Sequence, residues 1–409
     1  MSEAASNSIS NTPSVPARAW SIISWGAFLA CSWTWCIGMW LPVILLRDFG
    51  IWSFAAFAIP NVIGAAAMGV VLQRRGLSEW ITTEHRFAAR AFSAVTIVFQ
   101  LFFMLWFLGG DSARKGTWPW YAVVLSGLFA LVAFHFGSRW IRQISLGVWV
   151  LSLLLLLWSL RSESLSVQSL PPAVLDPGEL LWLMPVLAFG FLLCPYLDLT
   201  FHRARQSLPG RAGSAAFVIG FGVMFLAMIL GTLGYGLALL RDHAAPLPTL
   251  LPLLLAAHIV IQLAYTIAAQ RFDENGRDQD PVTPLQWPRD YSTSPMAAIS
   301  FSILMLLGFV VVGRSHGVTY AGLTATEIVY RGFMSFYGLI FPAYVWLCML
   351  PLGTTRTPRR VWTFVAAVVL ASPFYWMGFI ERETIWLVPG VAIVLFAKLI
   401  AGGAPRRIA

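Results

Sequence analysis

The sequence predicts an all-α integral membrane protein of about twelve transmembrane helices, and three observations carry that reading. Hydrophobic residues make up 58% of the chain and charged residues only 11%, with a mean hydropathy of +0.74. No soluble domain of 409 residues hides that much apolar surface. Twelve apolar runs are long enough to cross a bilayer, at about 20 residues each. Arginine falls mainly on alternate loops between these runs, as it does in multi-pass proteins.

Taken in order, residues 1–19 are rich in Ser, Asn, Pro and Ala and are expected to form a disordered cytoplasmic tail. No apolar stretch follows a basic start there, so the first span is expected to be retained. The runs are 20–46, 51–73, 89–109, 118–138, 143–160, 179–201, 213–240, 248–270, 296–313, 326–351, 360–379 and 384–402. The transmembrane domain is therefore 20–402, followed by a cytoplasmic tail, 403–409. One set of loops carries Arg74/Arg75/Arg86/Arg90, Arg139/Arg142, Arg203/Arg205/Arg211, Arg271/Arg277/Arg289 and Arg356/Arg359/Arg360. The alternate set carries single or balanced charges, such as Arg47/Asp48, Arg161/Glu163 and Glu381/Arg382/Glu383. The first set reads as cytoplasmic. That gives a multi-pass protein of the cell membrane with both termini inside.

The net charge of +9 sits in these short loops, facing the lipid bilayer, and no basic arm suggests nucleic acid. Cys31, Cys36, Cys194 and Cys348 lie within apolar runs and form no CxxC pair. Neither a disulfide framework nor a metal site is expected, and no cofactor. Trp20, Trp118, Trp120, Trp140, Trp182, Trp346, Trp362 and Trp386 mark run ends and read as interfacial anchors. Trp33, Trp35 and Trp40 sit inside the first span, and some of them should face the bundle interior.

The chain is organised around Phe189 to Arg205. Pro195 lacks an N–H and frees a carbonyl one turn earlier. Asp198 follows near the end of the same span. Loosened backbone and a carboxylate are tolerated in lipid where they face protein or a water-filled cavity. The other reading is a simple kink, with Asp198 reaching the interface to pair with His202 or Arg205.

The first span has its own breakers, Gly38 and Pro42, and spans one and six have opposite orientations. Each is followed by a Gly-rich span, with Gly64 and Gly69 in the second and Gly220, Gly222, Gly231, Gly234 and Gly236 in the seventh. Small residues at such spacing let helices approach closely. Interrupted helices at matching places in inverted halves point to a transporter site at the repeat interface.

This arrangement resembles the amino acid–polyamine–organocation superfamily of LeuT-type transporters, with a five-plus-five inverted repeat and two further helices. The resemblance covers nearly the whole chain in topology and rests on no diagnostic motif. Only Gly50-Ile51-Trp52 to Gly64 is loosely similar to the second helix of sodium/solute symporters. It implies a first repeat at 20–160, a second at 179–351 and two extra helices at 360–402. Sodium-coupled relatives place a Ser/Thr pair on the eighth helix beside carbonyls of the first. Span eight here offers only Tyr265-Thr266, so Na+ and H+ coupling both stay open.

Other polar groups lie at membrane depth. Asn61 follows Pro60 and reads as a partner for the carbonyl Pro60 frees. Gln100 and Gln262 read as bonds between helices. His258, one turn from Gln262, is either a packing residue or a proton carrier. Glu327 and Arg331 should pair at i,i+4, and His135 reads as interfacial. The expected solute or ion site comprises Trp33, Trp35, Gly38, Asn61, Cys194, Pro195, Tyr196, Asp198, His258 and Thr266.

The expected function is secondary active transport of a small-molecule solute. Alternatives are a non-transporting membrane protein of the same fold, or a major-facilitator-type carrier, whose basic loop is faintly similar to Gln73-Arg74-Arg75-Gly76. HExxH and P-loop motifs are missing. Arg47-Asp48 resembles the catalytic-acid position of polytopic glycosyltransferases, which carry larger exterior loops, so an enzyme is not expected. The topology predicts that an impermeant thiol reagent labels a cysteine placed at Glu163 in intact cells and not one placed at Asp278. The reverse pattern overturns it.

Overall fold

A backbone in lipid must satisfy its own hydrogen bonds, so apolar runs of this length fold as helices. The computed structural model describes residues 15–109, 119–161, 170–241, 250–272, 319–353 and 356–402. Among them, nine helices are long and apolar enough to cross a membrane, ten if one bent pair counts as a span. The described residues are mostly helical, and the chain is a multi-pass membrane protein. The expected span at 296–313, residues 273–295 of the expected loop Arg271–Pro295, and most of both tails lie outside the described residues.

The bent pair is α1 (Val15–Trp33) and α2 (Cys36–Phe49), which meet at 56°. Then come α3 (Trp52–Val71), the short α4 (Leu77–Glu84), α5 (Arg86–Gly109) and α6 (Pro119–Leu160). The second half opens with α7 (Leu180–Leu193), a 3-10 turn at Cys194–Leu197 and α8 (Leu199–Ser207). α9 (Gly210–Ile219) runs through a π turn into α10 (Leu226–Leu240), and α11 (Leu250–Phe272) follows. A two-stranded hairpin, Thr319–Tyr320 with Leu323–Thr324, precedes three long helical spans. These are Ala325–Met349, Pro358–Glu381 and Thr384–Ala401.

One expectation fails here. Spans 118–138 and 143–160 were expected to be separated by a turn at Arg139–Arg142. Instead α6 is one unbroken helix of 42 residues, about 63 Å long. Gly137 and Ser138 are the only weak helix formers beside the arginine pair, and no proline stops propagation. Arginines on a helix mark an interface without ending the helix. The side chain of His135, in the first half of α6, lies outside the described residues.

α11 lies along α6 and α5, while α1 packs against α6, α9 and the π turn. Glycines permit close approaches between helices. A Cβ on Gly64 would stand 2.2 Å from the Phe191 carbonyl oxygen, and one on Gly220 would stand 2.8 Å from that of Gly26. Of the tryptophans expected at interfaces, Trp20, Trp140, Trp182, Trp362 and Trp386 are exposed and Trp346 is half-buried; Trp33 and Trp35, from the group inside the first span, are buried.

Outside the spans, between α4 and α5, His85 is buried with its Nδ1 3.1 Å from Tyr344 Oη. Burial pushes its pKa down to about 4. The unfolded chain therefore binds a proton there that the folded chain refuses, so stability is full above about pH 6.5 and falls as the pH drops toward 4. His85→Gln should flatten that part of the melting-temperature profile in detergent. An unchanged profile would show that His85 does not contribute.

Candidate functional site

The first helix gives way at Thr34 and Trp35, four residues before the expected Gly38. Thr34 Oγ1 donates to Ala30 O at 2.8 Å, and Trp35 is extended with ψ 175°. A hydroxyl that bonds the previous turn competes with the helix ladder. Gly38 and Pro42 both lie inside α2. Pro42 cannot bond Gly38 O, and Thr232 Oγ1 on α10 donates to that carbonyl instead, at 3.0 Å. Tyr235 Oη donates to the next one, Met39 O. Gln100 Oε1 accepts the first N–H of α2, from Cys36, at 3.1 Å.

The second interruption falls at Cys194–Asp198, and Pro195 sits in its 3-10 turn. Asp198 is extended and caps α8, accepting from Thr200 N at 2.8 Å and Thr200 Oγ1 at 2.7 Å. Gln270 Nε2 donates to both its oxygens at 3.1 Å, and Ser93 Oγ donates to Gln270 Oε1 at 2.6 Å. Ser32 Oγ lies 3.1 Å from Thr200 Oγ1, which brings the two breaks side by side. All five residues are buried. This corrects the interfacial reading of Asp198. His202 contacts Ser78 and Tyr196 O, and Arg205 donates to Leu72 O and Gly210 O. The hydrogen bonds to Asp198 come from neutral donors, and no ion pair joins it among the described residues.

Thr266 on α11 donates to Gln262 O at 2.9 Å, with Cys31 O at 3.2 Å and Thr34 O at 3.4 Å also facing it. Its hydroxyl thus meets three carbonyls, two of them from the first break. Gln262 donates to Ser152 Oγ on α6 at 2.6 Å. His258 is buried, and its Nδ1 has no partner among the described residues. It stands about 18 Å along the helix from Gln270, so it does not join Asp198.

A mostly apolar cavity opens between α2, α7, Ala325–Met349 and the loop at Arg382. Of the expected site residues it is lined by Trp33, Trp35, Gly38, Asn61 and Cys194. Pro195, Tyr196, Asp198, His258 and Thr266 are not part of its wall. The rings of Trp33 and Trp35 meet at a tilt with centroids 4.3 Å apart, Trp33 meets Phe201 at 4.9 Å, and Trp35 meets Tyr337 at 5.5 Å. Asn61 Oδ1 accepts from Trp33 Nε1 at 2.8 Å, so the bond it makes is to the cavity wall and not to the carbonyl freed by Pro60. Trp40 packs against Phe103, Trp106 and Phe107.

On the cavity's other flank, four charges close on one another. Arg47 Nη2 stands 2.8 Å from Asp48 and 2.6 Å from Glu327, and Arg331 Nη2 stands 2.9 Å from Glu327 and also binds Asp48. The expected Glu327–Arg331 pair is there, and α2 supplies its other half.

Sequence reading missed Gln270, Thr200, Ser32, Ser93 and Arg382. One signal was available: His258, Gln262, Thr266 and Gln270 recur every fourth residue, which lines one face of α11. Comparison with protein families, curated proteins and solved structures finds no match.

Asp48 is fully buried between both arginines. Asp48→Asn should leave an uncompensated charge and cost about 3 kcal/mol of stability, read as a lower melting temperature in detergent. An unchanged melting temperature would remove the cluster from the forces holding α2 in place.

Proposed function

We propose that this chain is a secondary active transporter moving a small solute across the membrane by alternating access. One observation carries the reading. Two helices are interrupted side by side at Thr34–Trp35 and Cys194–Asp198, with a cavity against one flank and a buried carboxylate against the other. In this reading the chain has twelve spans, a LeuT-like five-plus-five repeat and two further helices, with both termini cytoplasmic. The unbroken α6 stands apart from that arrangement.

Two sets of polar contacts would alternate. The charge cluster ties α2 to Ala325–Met349 beyond the cavity. The Ser32–Thr200–Asp198–Gln270–Ser93 chain ties α1 and α8 to α11 and α5. Release of one while the other holds opens the path to one side at a time. Asp198 is the coupling group. A carboxylate without a cation at this depth is costly, and a proton or a bound Na+ relieves that cost when water reaches it.

Proteoliposomes supplied with labelled solutes under imposed H+ or Na+ gradients test the proposal. At least one solute should accumulate. Asp198→Asn should keep solute exchange and lose gradient-driven accumulation at least tenfold. Unchanged accumulation in this variant would remove Asp198 from coupling, and no gradient-driven uptake of any solute by the parent would overturn the transport reading.

A further inference from the structure

The charges along the cavity do not balance. Its described wall contains two arginines, Arg331 and Arg382, and no Asp or Glu. Arg331 is engaged by Glu327, by Asp48 and by the Phe379 carbonyl at 3.1 Å. Its charge cancels within a cluster of two arginines and two carboxylates.

Arg382 is different. Its Nη2 donates to Ala321 O at 2.7 Å. Its Nε is buried and has no hydrogen-bond partner, and no carboxylate forms an ion pair with it among the described residues. The adjacent acids are engaged elsewhere. Glu381 accepts from Tyr320 and from Trp376, and Glu383 accepts from Trp386 at 2.9 Å. Arg382 itself is held at φ +65°, where the chain reverses between two spans. A non-glycine residue in that region is strained, and such outliers cluster at ligand sites.

A buried guanidinium N–H without an acceptor is expensive to maintain. An anion entering the cavity supplies the acceptor, and a planar carboxylate matches the guanidinium edge. Apart from Asn61 and Thr384, which are bonded to Trp33 and Glu179, the remainder of the wall is mainly apolar and aromatic, with Trp33 and Trp35 and, on α7, Leu183 and Leu187. No described wall residue offers a carboxylate to an ammonium group. The cavity leaves about 90 Å³ for the centres of water molecules, room for several waters or for one aromatic ring with a short side chain.

We propose that this cavity binds a monocarboxylate with an apolar, ring-sized body, and that Arg382 receives its carboxylate. The inference rests on reading this cavity as the solute site. It selects against amines, and it selects against zwitterionic amino acids because their ammonium group finds no counter-charge.

The test uses the full-length protein in lipid nanodiscs and isothermal titration with phenylacetate, phenylacetamide and phenylethylamine. Phenylacetate should bind saturably, and the amide and amine about ten- to a hundredfold more weakly, the range expected for a charged hydrogen-bonded pair. Arg382→Gln should lose the preference for the acid. Arg382→Lys, which keeps the charge without the planar fork, should fall between, both variants being checked for parental melting temperature. No saturable binding of phenylacetate to the parent, equal binding of the amide, or undiminished acid preference in Arg382→Gln and Arg382→Lys would each overturn the proposal. Binding of phenylacetate without uptake into proteoliposomes under any gradient would leave this site standing and count against transport. Gradient-driven uptake of phenylethylamine would do the opposite.

Discussion

Lipid offers no hydrogen bonds, so every backbone group released where a helix breaks must find a partner within the protein. That constraint organises this bundle. At the first break the freed groups run from Cys31 to Met39, and their partners come from different helices. Gln100 of α5 takes the Cys36 N–H, and Tyr330 of Ala325–Met349 binds Cys36 O. Thr266 of α11 faces Cys31 O and Thr34 O, while Thr232 and Tyr235 of α10 bind Gly38 O and Met39 O. At the second break Asp198 caps α8, and the Cys194 thiol donates to Tyr337 O at 3.3 Å. The interruptions are therefore the points where α5, α10, α11 and Ala325–Met349 are tied to one centre.

The same economy governs charge. Arg47, Asp48, Glu327 and Arg331 form a cluster of zero net charge, which burial tolerates when each partner is bonded. Asp198 and Arg382 have no such partner among the described residues. Arg382 lines the cavity and Asp198 does not. Uncompensated groups of opposite sign that do not touch are poor structural elements and good binding elements, because an incoming charge improves each of them.

Much of this was legible in the sequence where the signal is a property of the residue itself. Apolar runs give the helices, Pro195 gives the second interruption, and Glu327 with Arg331 gives half the charge cluster. The first interruption was misplaced because Gly38 and Pro42 look like breakers. Pro42 is accommodated by Thr232, a residue 190 positions away, and the actual break comes from Thr34, whose helix-competing hydroxyl is a weaker mark than Gly or Pro. Gln270 stands beside Arg271 at the end of its span, where nothing local marks it as buried. Its burial follows from the reach of Asp198, a tertiary fact. The unbroken α6 was missed for a related reason, since two arginines were read as a loop although nothing local ends the helix.

In the proposed transport cycle, the separation of cavity and carboxylate decides how coupling works. Asp198 does not line the cavity, so a proton or cation there cannot act on a solute by direct contact. Its nearest link is through Thr200 to Ser32, and the next residue, Trp33, is both a wall of the cavity and the partner of Asn61. Neutralising Asp198 weakens its hold on the Thr200 N–H and hydroxyl, because bonds to a charged acceptor are roughly twice as strong as neutral ones. Thr200 is then freer to release Ser32, and Trp33 sits at the end of the same helix, immediately before the 56° bend. The break needs no Gly or Pro to serve as a hinge. It is held by side-chain bonds on both sides, and a change of charge at one of them shifts the balance of the whole.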